Sequence, residues 1–219
     1  MFIGHLALGL AAKRATPHLS LAVLFFAAQL ADVLWPIFVA VGLEHVRIDP
    51  GNTAFTALDF VSYPYSHSLV FLIVWGVLLG ILCRFLMGGR AVTAVVSALV
   101  VSHWILDFVT HRPDMPLYPG SVKLGLGLWN SIPLTLVIEL LMYGAGLWIY
   151  MQATRARDGI GRWGFLILAI FVIVVFIANI GNAPPSISAL WISAFAGAAV
   201  LTLWAWWADR HRDSIVGSR

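Results

Sequence analysis

Charge is what this chain has least of. Only 11% of its 219 residues are Asp, Glu, Lys or Arg, against 61% hydrophobic. With a mean hydropathy of +0.92, it has too little polar surface to cover a water-soluble domain, and its exterior is suited to hydrocarbon. Cysteine is nearly absent as well. The one residue, Cys83, lies inside an apolar run, which excludes both a disulfide framework and a thiolate metal cluster. No repeat, linker or low-complexity stretch divides the chain, so residues 1–219 read as a single integral-membrane domain. A cleaved signal peptide is not expected, because Lys13-Arg14 follow the first apolar run instead of preceding it. The pI near 9.4 does not imply nucleic acid either, since the basic residues stand singly or in pairs between apolar runs.

What the chain does have is apolar segments of membrane length. Residues 19–43, 67–87, 91–111, 131–151, 163–180 and 188–208 read as six transmembrane helices. Residues 1–12 rise only ~18 Å at 1.5 Å per residue, short of a ~30 Å hydrocarbon core, and read as a half-membrane helix. The expected fold is an all-α polytopic membrane helix bundle, with a site-bearing half over 1–151 and scaffold helices over 162–210. Gly76 and Gly80 fit close helix contacts in the second span.

Arginine and lysine set the expected orientation. Lys13, Arg14, Arg84, Arg90, Arg155, Arg157, Arg162, Arg210, Arg212 and Arg219 fall on one side, and Arg47, Arg112 and Lys123 on the other. The positive-inside rule makes the first side cytoplasmic, so the Lys13-Arg14 turn and the C-terminus face the cytosol of an inner (plasma) membrane. Both long polar loops then face the outside or periplasm.

The stretch SHWILDFVTHRP carries His103, Asp107 and His111 at intervals of four, hence on one helical stripe. Ionisable side chains in a membrane-length segment are costly and mark a functional site by default. Imidazole and carboxylate together form a ligand set for a divalent ion such as zinc. Other segments deliver the same chemistry to a similar depth: His5, Asp32, His67 and Glu139. The expected ligands are His103, Asp107, His67, Asp32 and His5. His111 and Glu139 come next, as further ligands, orienting groups or general base. His103 and His111 differ by ~12 Å in height on a helix, which argues against one ion taking both. Asp107 between them can serve either or bridge two.

The remaining polar residues carry weaker signals. Ser66 and Ser68 flank His67, but a serine at a helix start is first of all a cap. His18, His45 and His211 sit at span ends or in the tail and read as solvated. Asp49, Asp59 and Asp114 lie in loops, where the simpler reading is that they shape turns and the other is that they position substrate. Arg112 and Lys123 are candidates for holding a phosphate or another anion.

Four pieces of this pattern together resemble the YdjM-like family of bacterial membrane-bound metal-dependent hydrolases, also described as LexA-binding, inner-membrane-associated hydrolases. They are GHLALG with His5, AQLADVLWP with Asp32, YSHSL with His67, and SHWILDFVTHRP with His103 and Asp107. The chain departs from the family where an acidic pair is reduced to Asp32 and where a longer histidine box is reduced to YSHS. The resemblance implies a metal-dependent hydrolase, with one ion more in keeping with the reduced ligand set than two. The His103–Asp107 step also resembles that of zinc-dependent phospholipase C and single-strand nucleases, which cleave phosphoesters. A lipid or lipid-linked (phospho)ester reaching the site through the bilayer is the expected substrate, with Glu139 or a non-ligating Asp as base. Two other classes stay open: an ion-coupled transporter using the buried His/Asp/Glu cluster, and a non-enzymatic membrane protein with a structural metal.

Overall fold

The computed structural model describes residues 1–216. Arg219, counted above among the cytoplasmic basic residues, lies outside the described residues. Helices α1 (Ile3–Ala12), α2 (Leu21–Ala28) and α3 (Leu30–Ala40) lead to the short α4 (Pro64–His67). Then follow α5 (Leu69–Met87), α6 (Val92–Thr110), α7 (Ile132–Ala153), α8 (Phe165–Ala178) and α9 (Ile187–Asp209). Short antiparallel ribbons close the connections: β1 (His45–Ile48) with β2 (Leu58–Ser62), β3 (Met115–Pro116) with β4 (Lys123–Leu124), and β5 (Thr154–Ala156) with β6 (Arg212–Ser214).

The chain is a helical bundle with these ribbons at its ends. Among the described residues, 5 helices are long and apolar enough to cross a membrane, or 6 if α2 and α3 form one span. That pair bends by 56°, so the continuous helix expected over 19–43 is broken. The break falls at Gln29, whose backbone (φ −105°, ψ 11°) leaves the helical region. Pro36, inside α3, has no N–H to offer the Asp32 carbonyl one turn back. The helix is therefore loosened on both sides of Asp32. The outward faces are apolar: Ile73, Val77, Leu78 and Phe85 on α5 and Ile167, Ile170, Val174 and Ile177 on α8 are all exposed. Such a surface is stable in lipid and not in water.

Glycine sets how closely the helices approach. A Cβ on Gly76 would meet the Ser97 carbonyl oxygen at 3.0 Å, and one on Gly80 the Thr93 carbonyl oxygen at 2.7 Å. The small-residue contact expected in the second span is thus the α5–α6 crossing. Gly146 does the same for α7, where a Cβ would lie 2.5 Å from the Ala7 carbonyl oxygen of α1. This crossing brings α1 against α7, while α2 packs on α1, α6 and α9. Ser20, Ser68, Ser131 and Ser186 cap α2, α5, α7 and α9, each accepting a backbone N–H with its hydroxyl, a contact worth about 1 kcal/mol.

The Pro/Gly-rich segment after α6 folds back over the end of that helix. Leu126 N–H donates to the Phe108 carbonyl at 2.8 Å and Gly127 N–H to the His111 carbonyl at 2.7 Å. These bonds satisfy carbonyls at the helix C-terminus. Gly125 passes too close to the Arg112 backbone for any side chain, and Gly127 has φ +72°. His111 is therefore held just past the helix end, in extended backbone (φ −69°, ψ 150°).

At the other end of α1, Lys13 is buried and donates to Asp209 Oδ2 at 2.7 Å and to the Leu19 carbonyl at 2.8 Å. Asp209 also accepts from Leu21 N–H at 2.9 Å and from the Tyr150 hydroxyl at 2.6 Å. This network ties the ends of α1, α7 and α9 to the start of α2.

Candidate metal centre

Asp107 lies at the middle of the polar side chains, and its two oxygens face different neighbours. Oδ1 is 3.0 Å from His5 Nε2 and pairs with the backbone nitrogen of Met1. Oδ2 is 3.1 Å from His103 Nε2, 3.8 Å from His67 Nε2 and 3.8 Å from His111 Nε2. The His103 contact follows from helical spacing, since residues four apart share a face. The others are tertiary. The α1–α7 crossing brings in His5, the turn from α4 into α5 brings in His67, and the loosened start of α3 brings in Asp32. Asp32 Oδ1 is 3.6 Å from His67 Nε2 and 3.7 Å from His103 Nε2.

Two sets of donor atoms stand within ion-binding reach, His5–His103–Asp107 and Asp32–His67–His103. Together they comprise the five residues expected as ligands, all buried except Asp32, whose side chain is 40% exposed. The site is therefore open on the Asp32 side. His111 joins neither set, although its Nε2 lies 3.8 Å from Asp107 Oδ2, one turn back along the helix. It stands just past the helix end, in extended backbone.

Hydrogen bonds to the outer ring nitrogens fix how these histidines present themselves. His103 Nδ1 is 2.9 Å from the Ala28 carbonyl, the last of α2. A carbonyl only accepts, so the proton is on Nδ1 and Nε2 carries a lone pair. That lone pair faces a carboxylate oxygen at 3.1 Å, and His103 Nε2 has no hydrogen bond. Two electron-rich atoms so placed call for a positive centre between them, a second proton on the ring or a metal ion. His111 Nδ1 is held in the same way, 2.9 Å from Asp114 Oδ1. Tyr63 donates its hydroxyl to that carboxylate at 2.7 Å. Burial, with the Asp114 carboxylate alongside, pushes the Tyr63 phenol well above its ordinary value, so Tyr63 stays a donor. Donor identity, lone-pair direction and the unpartnered His103 nitrogen all fit a divalent cation.

Glu139 is fully buried on α7, and its Oε2 accepts the N–H groups of Phe2 and Gly4 at 2.9 and 3.2 Å. It supplies the cap that Phe2 does not give α1. Its Oε1 has no hydrogen bond. Arg112 lies 2.5 Å from Asp59 and 3.6 Å from Asp114, and Arg47 shares Asp59 at 2.6 Å. Lys123 donates to the Val61 carbonyl at 2.7 Å from an exposed position. Arg112 is thus paired with carboxylates, and Asp59 and Asp114 do more than shape turns.

Two residues of this centre went unrecognised in the sequence. Asp114 holds His111, and Glu44, in the polar loop between α3 and α4, reaches His67 through Ser66. Both act across turns, where no periodic pattern marks them. For Asp114 the nearest signal is its place three residues after His111 at the end of α6; Glu44 lies 22 residues before Ser66 and carries no such signal.

No family model, curated protein or solved structure matches this chain.

Proposed function

We propose that the chain is a membrane-embedded, metal-dependent hydrolase, of the YdjM-like kind its motifs resemble, acting on lipids or lipid-linked (phospho)esters. One observation carries the reading. Asp32 Oδ1 and Asp107 Oδ2, from α3 and α6, each stand 3.1 to 3.8 Å from both imidazole nitrogens, His67 Nε2 of α4 and His103 Nε2 of α6. Four ligands at ~2 Å from one ion would stand about 3.3 Å apart in a tetrahedron. Two imidazoles and two carboxylates suit zinc better than calcium or magnesium, which favour oxygen alone.

When bound, such a cation supplies Lewis acidity, polarising the scissile group and acidifying water. The chain's own residues supply the rest. Asp32 is the exposed member of the set, so substrate enters on its side. His111 is the base we assign. It faces Asp107, belongs to neither donor set and is backed by Asp114, the arrangement that orients an imidazole to take and return a proton. Glu139, the other candidate base, already has one oxygen engaged by two amides. The six-span count, the cytoplasmic Lys13-Arg14 turn and an outward-facing site in an inner membrane belong to this proposal, on the distribution of basic residues. A permease is less well supported, because α1 has no ionisable side chain between His5 and Lys13 to continue a path.

The test is metal analysis of detergent-purified protein, with hydrolysis of a panel of phospholipids and lipid-linked phosphates. Wild type should hold about one equivalent of zinc, and His103→Ala and Asp32→Asn should lose both metal and turnover. Wild type that takes up no divalent ion sinks the proposal.

A further inference from the structure

His67 reaches the cluster with Nε2, and its other ring nitrogen is also held. Nδ1 stands 2.7 Å from Ser66 Oγ, and Ser66 Oγ donates to Glu44 Oε2 at 2.6 Å. A hydroxyl has one proton. With that proton on Glu44, the serine oxygen can only accept from His67, which places the ring proton on Nδ1. The Nε2 lone pair is then turned toward Asp32 and Asp107, at 3.6 and 3.8 Å.

Glu44 has an unusual setting. It is 1% exposed, and its other oxygen accepts the N–H groups of Tyr65 and Ser66, both at 2.8 Å. Among the described residues no Lys, Arg or His forms an ion pair with it. A buried carboxylate satisfied only by neutral donors is costly unless a positive charge balances it. The hydrogen-bonded chain from Glu44 through Ser66 to His67 points at the place where a cation would do so. His103 has the Ala28 backbone carbonyl in the same role. An acceptor behind a ligating imidazole orients the ring and strengthens it as a donor.

We infer that Glu44 is a positioning residue for the metal centre: acting through Ser66, it selects Nε2 of His67 as the ligand atom and raises the affinity of the site for a divalent cation. The inference rests on the cation reading above. A simpler role, capping the first turn of α4, is separable from it. Glu44→Gln keeps an oxygen for the two amides but removes the charge and sets a donating NH2 against the serine hydroxyl, whereas Ser66→Ala keeps the amide contacts and cuts the link to His67.

Zinc titration of the full chain in detergent, against a chromophoric chelator, gives the affinity. Ring ¹⁵N spectra of metal-free protein, with the His67 signal assigned by its loss in His67→Asn, give the tautomer. Both single variants should bind zinc about 10- to 100-fold more weakly. The double variant should be no weaker than the worse single, because both break one chain of contacts. The His67 proton should sit on Nδ1 in wild type and redistribute in Ser66→Ala. Undiminished zinc affinity in both folded variants, or a wild-type proton on Nε2, overturns the inference alone. Wild type that binds no zinc overturns it together with the cation reading.

Discussion

Two buried polar clusters lie at opposite ends of α1, and they differ in whether their hydrogen bonding is complete. At the Lys13 end there is one positive and one negative group, and Asp209 also takes the hydrogen bonds of Tyr150 and Leu21. No side-chain polar atom of that group is left over. At the Asp107 end one carboxylate faces four imidazoles, while His5 Nδ1, His103 Nε2 and Glu139 Oε1 are buried without hydrogen bonds. Buried polar atoms are nearly always paired. A complete network ties helices together, and an incomplete one, rich in lone pairs, has room for something more.

The largest effect expected from this contrast is at Asp107. Asp107→Ala should abolish metal binding outright while leaving the helical circular dichroism near wild type; full zinc occupancy in that variant would erase the distinction between the clusters. Next comes Lys13→Met, which strands a buried carboxylate and should cost about 3–5 kcal/mol of stability, with zinc affinity unchanged per folded molecule. Adding Asp209→Asn should restore most of the loss, because it removes the stranded charge while the amide oxygen still accepts from Leu21 N–H and the NH2 can donate to the Tyr150 hydroxyl oxygen. Reversible denaturation in mixed micelles reads both. The smallest effect should be at Asp158, an exposed residue paired with His211. The Gly161 N–H and then His211 hold its carboxyl below the ordinary value. A depressed carboxylate contributes stability only while ionised, so the contribution is lost as pH falls through its folded value. Exposed pairs are screened by water, and Asp158→Asn should leave the melting temperature within error at neutral pH. A clear drop would show that exposed as well as buried charge holds this fold.

Much of the candidate site was legible because it is written in helical spacing. His103 and Asp107 had to share a face, and Gly76 and Gly80 had to mark a close crossing. The break at Gln29 was harder to see. The run around it is apolar throughout, and only Pro36 and the polar pair Gln29 and Asp32 hint that the helix does not continue. The ribbons β3–β4 and β5–β6 have two or three residues in each strand, too few for a period-2 pattern to register. Asp114 was misjudged, and Glu44 passed over, for a different reason. A carboxylate in a turn looks the same in sequence whether it faces water or a histidine ring.

The sequence by itself determined that this chain is a bundle of apolar helices, and which few side chains are too polar to lie in that bundle without a purpose. Composition and periodicity suffice for that, since the cost of burying charge in hydrocarbon is a property of the residue. Only the tertiary structure decided that His5, Asp32 and His67 meet His103 and Asp107, which ring nitrogen each histidine offers, and that Glu139 caps a helix. Those outcomes depend on helix crossings, a broken span and lone-pair directions, which arise from contacts between residues far apart along the chain.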